Sequence, residues 1–450
     1  MLSRRQAVIT FGGLAATTAL ALTGCTPNSG STGTTAKAVT QADIDKAMNT
    51  ATTLTFWTWV PNIQKEVDLF TAKYPKIKVN VVNTTGGSTH YPKLRAALKA
   101  GKGVPDVAQM EYDYIASFTQ TKSLLDLNPL GAKDLANDYV DWVWNQVSNA
   151  QGTWGIPQDS GPLGTLYRDD IFKKAGLNGA PETWADFATA AATVKSKTGS
   201  YITNMPGNDM FQLIAFFWQA GAKPFAYDGK KTVGIDLNSA TNQKVVAYWQ
   251  DLIQKDLVSV DPDFTDAYYQ GLSRGKYATW LVAAWGPVFL QGTAKNTSGL
   301  WRAGKIPQYN AGENVSGNWG GSSDAVMAGT PNQIAAYELA KFINYDATST
   351  LDFANDQFLF PTKKSTLASS EFTGQAAPFY GGQKVNEFFA GVSATVDKKF
   401  EWLPFMDYVN SSYATTLGTA IANKGDLKAA LATWQSQCVT YAKQQGFTVS

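Results

Sequence analysis

The chain has 450 residues, of which 38 are Lys or Arg, 36 are Asp or Glu and one is His. A length above 400 residues exceeds what one hydrophobic core usually serves, so we expect two domains. The near balance of charge argues against nucleic-acid binding and against anionic membranes, because both partners select strongly basic surfaces.

The N-terminal segment predicts export and lipid attachment. An arginine pair precedes an uncharged apolar run over residues 7–22, which is shorter than the roughly 20 residues that a membrane helix needs. The run ends in Leu-Thr-Gly-Cys, which resembles a bacterial lipobox and implies cleavage before Cys25 and diacylation of its thiol. We therefore expect a signal peptide over residues 1–24 and a lipid anchor on the extracytoplasmic face of the cell membrane. The arginine pair leaves Sec and twin-arginine export both open.

The next segments predict a flexible tether and then a parallel sheet. Residues 25–51 are rich in Ser, Thr, Gly and Ala and contain few large apolar side chains. Strand-like alternation and helical spacing then take turns, with a strand at 54–60, a helix from 62 to 74, a strand at 77–81, a helix that ends at 101 and a strand at 106–111. Strands and helices in alternation predict parallel pairing.

The remainder of the chain predicts a crossing and a second α/β unit. Residues 154–167 are extended and contain several Gly and Pro, and we place a crossing between two lobes there. Thr183 and Asp186 form a capping-box pattern that starts a helix, and further helices are expected at 245–253, from 330 onward and after 365. Cys438 lies in a helical pattern, so we expect a buried thiol and no structural disulfide.

The single histidine, His90, limits the chemistry that the chain can perform. A Ser-His-Asp triad could use only this residue, and zinc or copper sites built from several imidazoles are excluded. The adjacent Tyr268 and Tyr269 could ligate ferric iron, but such sites normally add other ligands, and we expect a packed helical turn instead. The sequence therefore predicts neither a metal site nor a cofactor.

Two carboxylates leave two kinds of chemistry open. Glu111 ends the third predicted strand, and Asp159 lies in the crossing. Paired acids held about 5 to 10 Å apart can hydrolyse a glycosidic bond. The same groups suit recognition of hydroxyl groups, because an ionised carboxylate accepts two or more hydrogen bonds.

Aromatic residues make up 12% of the chain, and their positions separate expected core from expected site. Tryptophans in helical patterns are expected in the core: Trp142, Trp144, Trp184, Trp249 and Trp434. Tryptophans at strand ends or beside Gly and Pro are expected to face a cleft: Trp57, Trp59, Trp285, Trp319 and Trp402. Trp218, which lies in an apolar run just before Ala-Gly, is a further candidate. Flat rings beside planar polar groups suit the apolar faces and hydroxyl edges of sugars.

Several stretches, in their order and spacing, resemble extracellular solute-binding protein family 1, which includes maltose-binding protein and other oligosaccharide receptors of ABC importers. The matching stretches are residues 54–60, 105–107, 155–162, 166–168, 181–184, 275–287 and 320–322. The resemblance implies a two-lobed, periplasmic-binding-protein-like α/β fold of class II type, in which each lobe is a mainly parallel sheet flanked by helices and the ligand lies in the cleft. It implies a monomeric binding protein, not an enzyme, that delivers an oligosaccharide to the permease subunits of an ABC importer.

The resemblance also assigns site residues and lobe boundaries. By position, the ligand-binding candidates are Trp285 first, then Trp57, Trp59, Glu111, Tyr112, Gln158, Asp159, Trp319, Gly320, Gly321 and Trp402, to which the local pattern adds Trp218. The expected lobes are residues 52–162 with 308–364, and residues 163–307 with 365–450. Met110 stands where maltose-binding protein has a tryptophan, so maltose specificity is not implied. A secreted glycoside hydrolase and a binding protein for a non-sugar ligand, such as a polyamine, stay open as alternatives.

Overall fold

The computed structural model describes residues 38–84, 86–357 and 359–450, and it leaves the side chains of residues 87 and 88 undescribed. The predicted signal peptide, Cys25 and the first part of the predicted tether lie outside the described residues. The strands are β1 Thr52–Thr58, β2 Ile77–Asn83, β3 Val107–Glu111, β4 Ser148–Asn149, β5 Gly152–Thr153, β6 Ile156–Arg168, β7 Phe225–Tyr227, β8 Thr232–Ile235, β9 Thr279–Ala283, β10 Trp301–Lys305, β11 Asn318–Val326 and β12 Thr448–Val449.

The helices alternate with these strands in the first half of the chain and dominate its end. They are α1 Gln41–Met48, α2 Gln64–Lys73, α3 Gly87–Ala100, α4 Tyr112–Gln120, α5 Asp141–Val147, α6 Asp169–Ala175, α7 Trp184–Thr198, α8 Met210–Gln219, α9 Ala240–Gln254, α10 Asp266–Arg274, α11 Gly286–Thr293, α12 Gln333–Tyr345, α13 Ala347–Asp356, α14 Lys364–Leu367, α15 Ser370–Thr373, α16 Val385–Ser393, α17 Met406–Thr415, α18 Leu417–Ala422 and α19 Leu427–Gln444. Within the described ranges, none of these helices is both long and apolar enough to cross a bilayer.

Helix α1 corrects the expectation of a flexible tether up to residue 51. Thr40 caps the helix, because its hydroxyl accepts from the backbone N–H of Asp43 and the Asp43 carboxylate accepts from the backbone N–H of Thr40. Met48, on the inner face of α1, is buried in the core. The composition of this segment does not predict a helix, because α1 contains few apolar residues. Its main helical features are the capping box and one buried side chain.

The first half of the sheet confirms the predicted parallel pairing. Strand β1 pairs in parallel with β2 and with β3, and α2 and α3 connect these strands. The sheet order is β10-β6-β11-β3-β1-β2, with β9 also paired to β6. The carboxyl ends of β1 and β3 therefore open at one edge of the sheet, where ligands of open α/β sheets commonly bind.

The second half of the sheet differs from the expectation of mainly parallel strands. Strand β6 pairs antiparallel with β9, β10 and β11, and β7 and β8 form an antiparallel pair. Parallel pairing there is limited to short stretches, such as the bridge between Tyr201 and Tyr277 and the two residue pairs that join β12 to β8. The helical periodicity within residues 183–253 could be predicted from the sequence. The antiparallel direction in which β9 and β10 pair with β6 could not, because it depends on contacts between distant residues.

Strand β6 is the predicted crossing. Its first residues pair with β11 beside β3, and its last residues pair with β9 and β10, so the strand joins two parts of the two-lobed fold. Strand β11 returns beside it and has an irregular register between Asn318 and Gly321. A bulge of this kind re-aims the side chains at a sheet edge.

The buried tryptophans confirm the expected core and correct Trp218. Trp249 is 1% exposed, and its ring stacks on Phe216 at 5.2 Å between ring centres. Trp218 is fully buried, its ring stacks on Phe400 at 4.1 Å, and its Nε1 donates to the carbonyl of Asp397 at 2.8 Å. Helix α8 is apolar on nearly all sides, as a helix enclosed by the core must be. Trp218 is therefore a core residue and does not face a ligand.

The buried Cys438 also agrees with the sequence. Its thiol is 0% exposed on α19, lies 3.6 Å from the Ser412 hydroxyl, and is free. Burial raises the pKa of this thiol to about 11, so it stays protonated at neutral pH. We assign it a packing role.

Candidate functional site

The side chain of Gln109 ties together four strand segments beneath the sheet edge. Its Oε1 accepts from the Thr58 hydroxyl at 2.8 Å and from the backbone N–H of Trp59 at 3.0 Å. Its Nε2 donates to Oε1 of Gln158 at 2.7 Å and to the Ser322 hydroxyl at 3.0 Å. Gln109 is 1% exposed, so this network is buried and holds β1, β3, β6 and β11 in one arrangement.

The network also shows where the predicted Gln158 lies. Gln158 is buried, and its Nε2 donates to Oδ2 of Asp324 at 3.1 Å. Both ends of its amide are thus engaged inside the protein, with Gln109 on one side and Asp324 on the other. Gln158 therefore fixes the position of the crossing strand. Its side chain is buried, unlike the partly exposed Glu111 and Asp159.

Glu111 and Asp159 lie on opposite sides of β11 at this edge. Ser322 of β11 pairs with Glu111 on one side and with Asp159 on the other. Oδ1 of Asp159 accepts from the backbone N–H of Ser322 at 2.9 Å and from the Ser322 hydroxyl. Both carboxyl side chains are half-buried. Burial raises the pKa of Glu111 to about 7, with a smaller contribution from the charge of Asp159, and burial raises the pKa of Asp159 to about 6.

Trp285 and Trp319 form an aromatic pair next to these carboxyls. Their ring centres are 5.1 Å apart at an interplanar angle of 72°, and Nε1 of Trp285 donates to the carbonyl of Trp319 at 2.9 Å. Trp285 is half-buried, whereas Trp319 is 4% exposed. Two rings that the sequence analysis did not select, Phe264 and Phe289, also contact Trp285 at 6.0 and 5.7 Å and are 45% and 49% exposed. These four rings make one partly exposed aromatic surface.

Gly320 and Gly321 connect the aromatic surface to the carboxyls. They have φ angles of +82° and +106°, which a residue with a Cβ rarely adopts. A Cβ on Gly321 would lie 2.6 Å from the ring of Tyr112 and 2.9 Å from the carbonyl of Asp159. The hydroxyl of Tyr112 donates to that same carbonyl at 2.8 Å. The structure thus brings Trp285, Trp319 and both glycines next to Tyr112 and Asp159.

Trp57 and Trp59 end strand β1 in different environments. Trp59 is half-buried and its ring lies 5.2 Å from that of His90. Trp57 is 7% exposed, and its ring lies 6.2 Å from that of His90. Trp59 is therefore the more exposed of the two rings at this edge. His90 is fully buried, and burial lowers its pKa to about 4, so the ring is neutral and packs between the two indoles.

Trp402 lies apart from the aromatic surface. Its Nε1 donates to Oε1 of Gln146 at 2.7 Å, and its ring packs 4.9 Å from Phe400. It lines a separate cavity of about 420 Å³ together with one face of α4 from Tyr112 onward, Trp154 and residues 398–401. Tyr112 thus borders both regions, whereas Trp402 borders only the second.

Two further acidic residues at the site escaped the sequence analysis. Asp209 accepts from the backbone N–H groups of Phe211 and Gln212 and so caps α8, and Asp263 is 2% exposed directly before Phe264. Burial raises the pKa of Asp209 to about 6, and burial followed by the charge of Asp209 raises the pKa of Asp263 to about 8. The helix-cap position of Asp209 was readable from the sequence, but the burial of Asp263 depends on tertiary packing.

Five carboxyls therefore form two groups: Glu111, Asp113 and Asp159 lie near one another at the carboxyl end of β3, and Asp209 lies near Asp263, directly before Phe264. None of the five forms a salt bridge with a Lys or Arg in the described part of the chain. The balanced charge of the whole chain thus conceals a local excess of acidic groups. Among the described residues, no group of three or more His, Cys, Asp or Glu side chains is arranged to hold a metal ion.

The pKa of Asp263 predicts that stability falls as the pH rises. Below the ordinary pKa of 3.8 both the folded and the unfolded chain carry the proton, whereas between 3.8 and about 8 only the folded chain keeps it. The free energy of unfolding should therefore fall across that window and level off above it. We expect Asp263→Asn, which is neutral at every pH, to reduce this slope by at most about 1.4 kcal/mol per pH unit in melts between about pH 5 and pH 8. Equal slopes for the variant and the wild type would contradict the assignment.

Comparison with known proteins agrees with this geometry. The sequence model of the bacterial extracellular solute-binding protein family matches residues 57–347. The chain is 29% identical over 302 residues to the arabinooligosaccharide-binding protein of Bacillus subtilis, which covers 64% of this chain and 67% of the relative. It is also 29% identical over 391 residues to the lactose-binding protein of Rhizobium radiobacter, which covers 82% of this chain and 86% of the relative.

The fold matches as well as the sequence. The ABC-transporter-associated binding protein of B. animalis subsp. lactis, solved in complex with β-1,6-galactobiose, superposes with a TM-score of 0.77 at 29% identity and covers 89% of this chain and 100% of that structure. The match includes the strands that carry the aromatic surface and the carboxyls, since it extends over nearly the whole described chain. This chain belongs to the bacterial extracellular solute-binding protein family.

Proposed function

We propose that this protein captures a neutral oligosaccharide outside the cytoplasm and delivers it to the permease subunits of an ABC importer. The observation that carries the proposal is the aromatic surface around Trp285 and Trp319, which lies beside Asp159 and Glu111. Indole and phenyl rings cover the apolar faces of sugar rings, and carboxyl groups bond their hydroxyl edges. The relatives named for arabino-oligosaccharides and lactose, and the structure solved with β-1,6-galactobiose, support a sugar ligand.

The named relatives and the structure solved with a sugar favour a sugar over a polyamine. Near neutral pH, pKa values of about 7 for Glu111 and about 6 for Asp159 leave these two half-buried carboxyls partly protonated. A protonated carboxyl donates one hydrogen bond and still accepts others, so the set matches hydroxyl groups, which do both. The same acidic groups, without basic partners, disfavour an anionic sugar.

The ligand enters between two lobes that close around it. We assign residues 52–162 and 308–364 to one lobe and residues 163–307 and 365–450 to the other. The crossings at β6 and β11 supply the hinge, and hinge closure is a common motion in binding proteins of this shape. The ion pair between Arg95 and Asp407, at 2.9 Å, joins the two assigned lobes and supports a closed arrangement of the cleft.

A binding role and a hydrolytic role can be separated directly. After long incubation with arabino-oligosaccharides, lactose and β-1,6-galactobiose, a receptor returns each sugar unchanged, and we expect chromatography to show no products. Asp159 already accepts two bonds from Ser322, which suits a fixed acceptor. Turnover that disappears in Glu111→Gln or Asp159→Asn would instead establish a glycosidase with these carboxyls as its acid pair.

The lipid anchor at Cys25 is the proposed attachment to the cell surface. The lipobox and the apolar run before it support acylation of this cysteine, and the matched family is extracellular. We expect the wild type in the membrane fraction and Cys25→Ser released or left unprocessed, as fractionation and mass measurement of the N-terminal peptide would show. Cys438→Ser is the matched control and should fractionate like the wild type. A wild type without lipid, or equal lipidation in Cys25→Ser, would contradict this anchor.

A further inference from the structure

Phe264 has a backbone conformation that its side chain disfavours. Its φ angle is +55°, in the left-handed region that bulky residues rarely enter. The other non-glycine residues with positive φ in the described chain, Lys122, Asp256 and Lys424, each lie two residues after the end of a helix, where this conformation is common. Phe264 instead lies two residues before α10 begins. No helix ending explains its conformation.

The flanking residues hold Phe264 in place from both sides. The side chain of Asn208 bonds the backbone of Asp263 twice, because its Oδ1 accepts from the N–H at 3.2 Å and its Nδ2 donates to the carbonyl at 3.3 Å. On the other side, the Thr265 hydroxyl accepts from the backbone N–H of Tyr268 at 3.1 Å and caps α10. Strained backbone persists only where its surroundings fix it, and such positions cluster at ligand sites.

The ring of Phe264 is partly exposed, although it contacts both tryptophans of the aromatic surface. Its side chain is 45% exposed, although its ring contacts Trp319 at 5.7 Å and Trp285 at 6.0 Å. A phenyl ring that served only packing would gain more by complete burial. The backbone of Phe264 is strained and its ring is not fully buried. The contact of the ring with Trp285 and Trp319 is therefore what this conformation achieves.

We infer that Phe264 is a ligand-contact residue that stacks on an apolar sugar face beside Trp285, and that the strained backbone is retained to hold its ring there. This inference rests on the proposed function. The ring extends the surface of Trp285 and Trp319 toward solvent, so it adds a stacking position for a second sugar unit. Phe264 therefore contributes to the selection of oligosaccharides over single sugars.

Two truncations of the ring separate strain from binding. Phe264→Ala and Phe264→Gly both remove the stacking ring, but only glycine relieves the left-handed backbone. We expect both variants to bind arabino-oligosaccharides, lactose or β-1,6-galactobiose about tenfold or more weakly in calorimetry. We expect the glycine variant to melt at a higher temperature than the alanine variant, the reverse of the usual order. Lys424→Gly, on an exposed position with a φ of +53°, is the control and should bind like the wild type.

The outcomes are distinct. If both Phe264 variants bind within about twofold of a wild type that binds, the ligand-contact role is wrong while the proposed function stands. If the alanine variant is as stable as the glycine variant, the strain is absent and the retained-strain part of the inference is wrong. If the wild type binds neither these three sugars nor any neutral oligosaccharide on a glycan array, the proposed function fails and this inference fails with it.

Discussion

Trp285→Ala is expected to weaken oligosaccharide binding by about 30-fold or more and to leave the protein folded. A central aromatic residue in a binding surface costs about 2 to 4 kcal/mol when truncated. Trp285 meets this description, because it is half-buried and contacts Trp319, Phe264 and Phe289. Calorimetric titration of the wild type and the variant measures the loss.

Trp285→Phe is the matched control for this prediction. It keeps an aromatic face but removes the Nε1 donor that bonds the carbonyl of Trp319 at 2.9 Å. An intermediate affinity is expected, because part of the stacking area remains while the ring loses the bond that orients it. If Trp285→Ala binds normally and melts early, Trp285 is a core residue and the proposed site is in the wrong place.

Trp249→Ala should instead destabilise the protein by about 3 to 5 kcal/mol, the usual cost of truncating a large core aromatic residue. Trp249 is 1% exposed, stacks on Phe216 and meets Trp184 edge to face at 5.6 Å. Urea or thermal unfolding gives the change, and titration well below the melting temperature should find nearly normal affinity. A variant that melts like the wild type, or that loses binding while still folded, would contradict a packing role.

Local patterns predicted the parts of the fold that neighbouring residues determine. The alternation in residues 54–60 and 77–81 and the helices between the strands gave the parallel set β1, β2 and β3, since period and turn residues are local signals. The same holds for the extended crossing at β6. The family resemblance then placed Trp285, Trp319 and the two glycines on one surface, and the contacts among them agree with that placement.

For several candidate residues, tertiary packing determines whether they belong to the core or to the site. Trp218 precedes an Ala-Gly pair and Trp402 lies near a proline, yet Trp218 is buried against Phe400 whereas Trp402 lines a cavity with Trp154. The family resemblance selected Gln158 as a ligand group, but its side chain is buried and bonds the amide of Gln109. These assignments depend on the register in which β3 and β6 each pair with β11. Local sequence patterns do not predict that register.

The net charge of the whole chain did not predict the acidic groups near the site. Net charge counts all residues equally, whereas the carboxyls of Asp209 and Asp263 matter because folding brings them to one place and buries them. Phe264 was missed for a related reason, since a positive φ at a phenylalanine has no sequence signature of its own. Backbone strain and burial become visible only once the loop before α10 is placed against Asn208.

A glycan array that carries neutral, anionic and cationic oligosaccharides would show which class of sugar this protein binds. Purified wild-type protein, labelled at an exposed site away from the aromatic surface, should bind a subset of the neutral oligosaccharides. The same array probed with Trp285→Ala should lose that signal, while Trp249→Phe should keep it. Binding confined to anionic glycans, or no binding of the wild type to any glycan, would contradict the account of this protein as a receptor for neutral oligosaccharides.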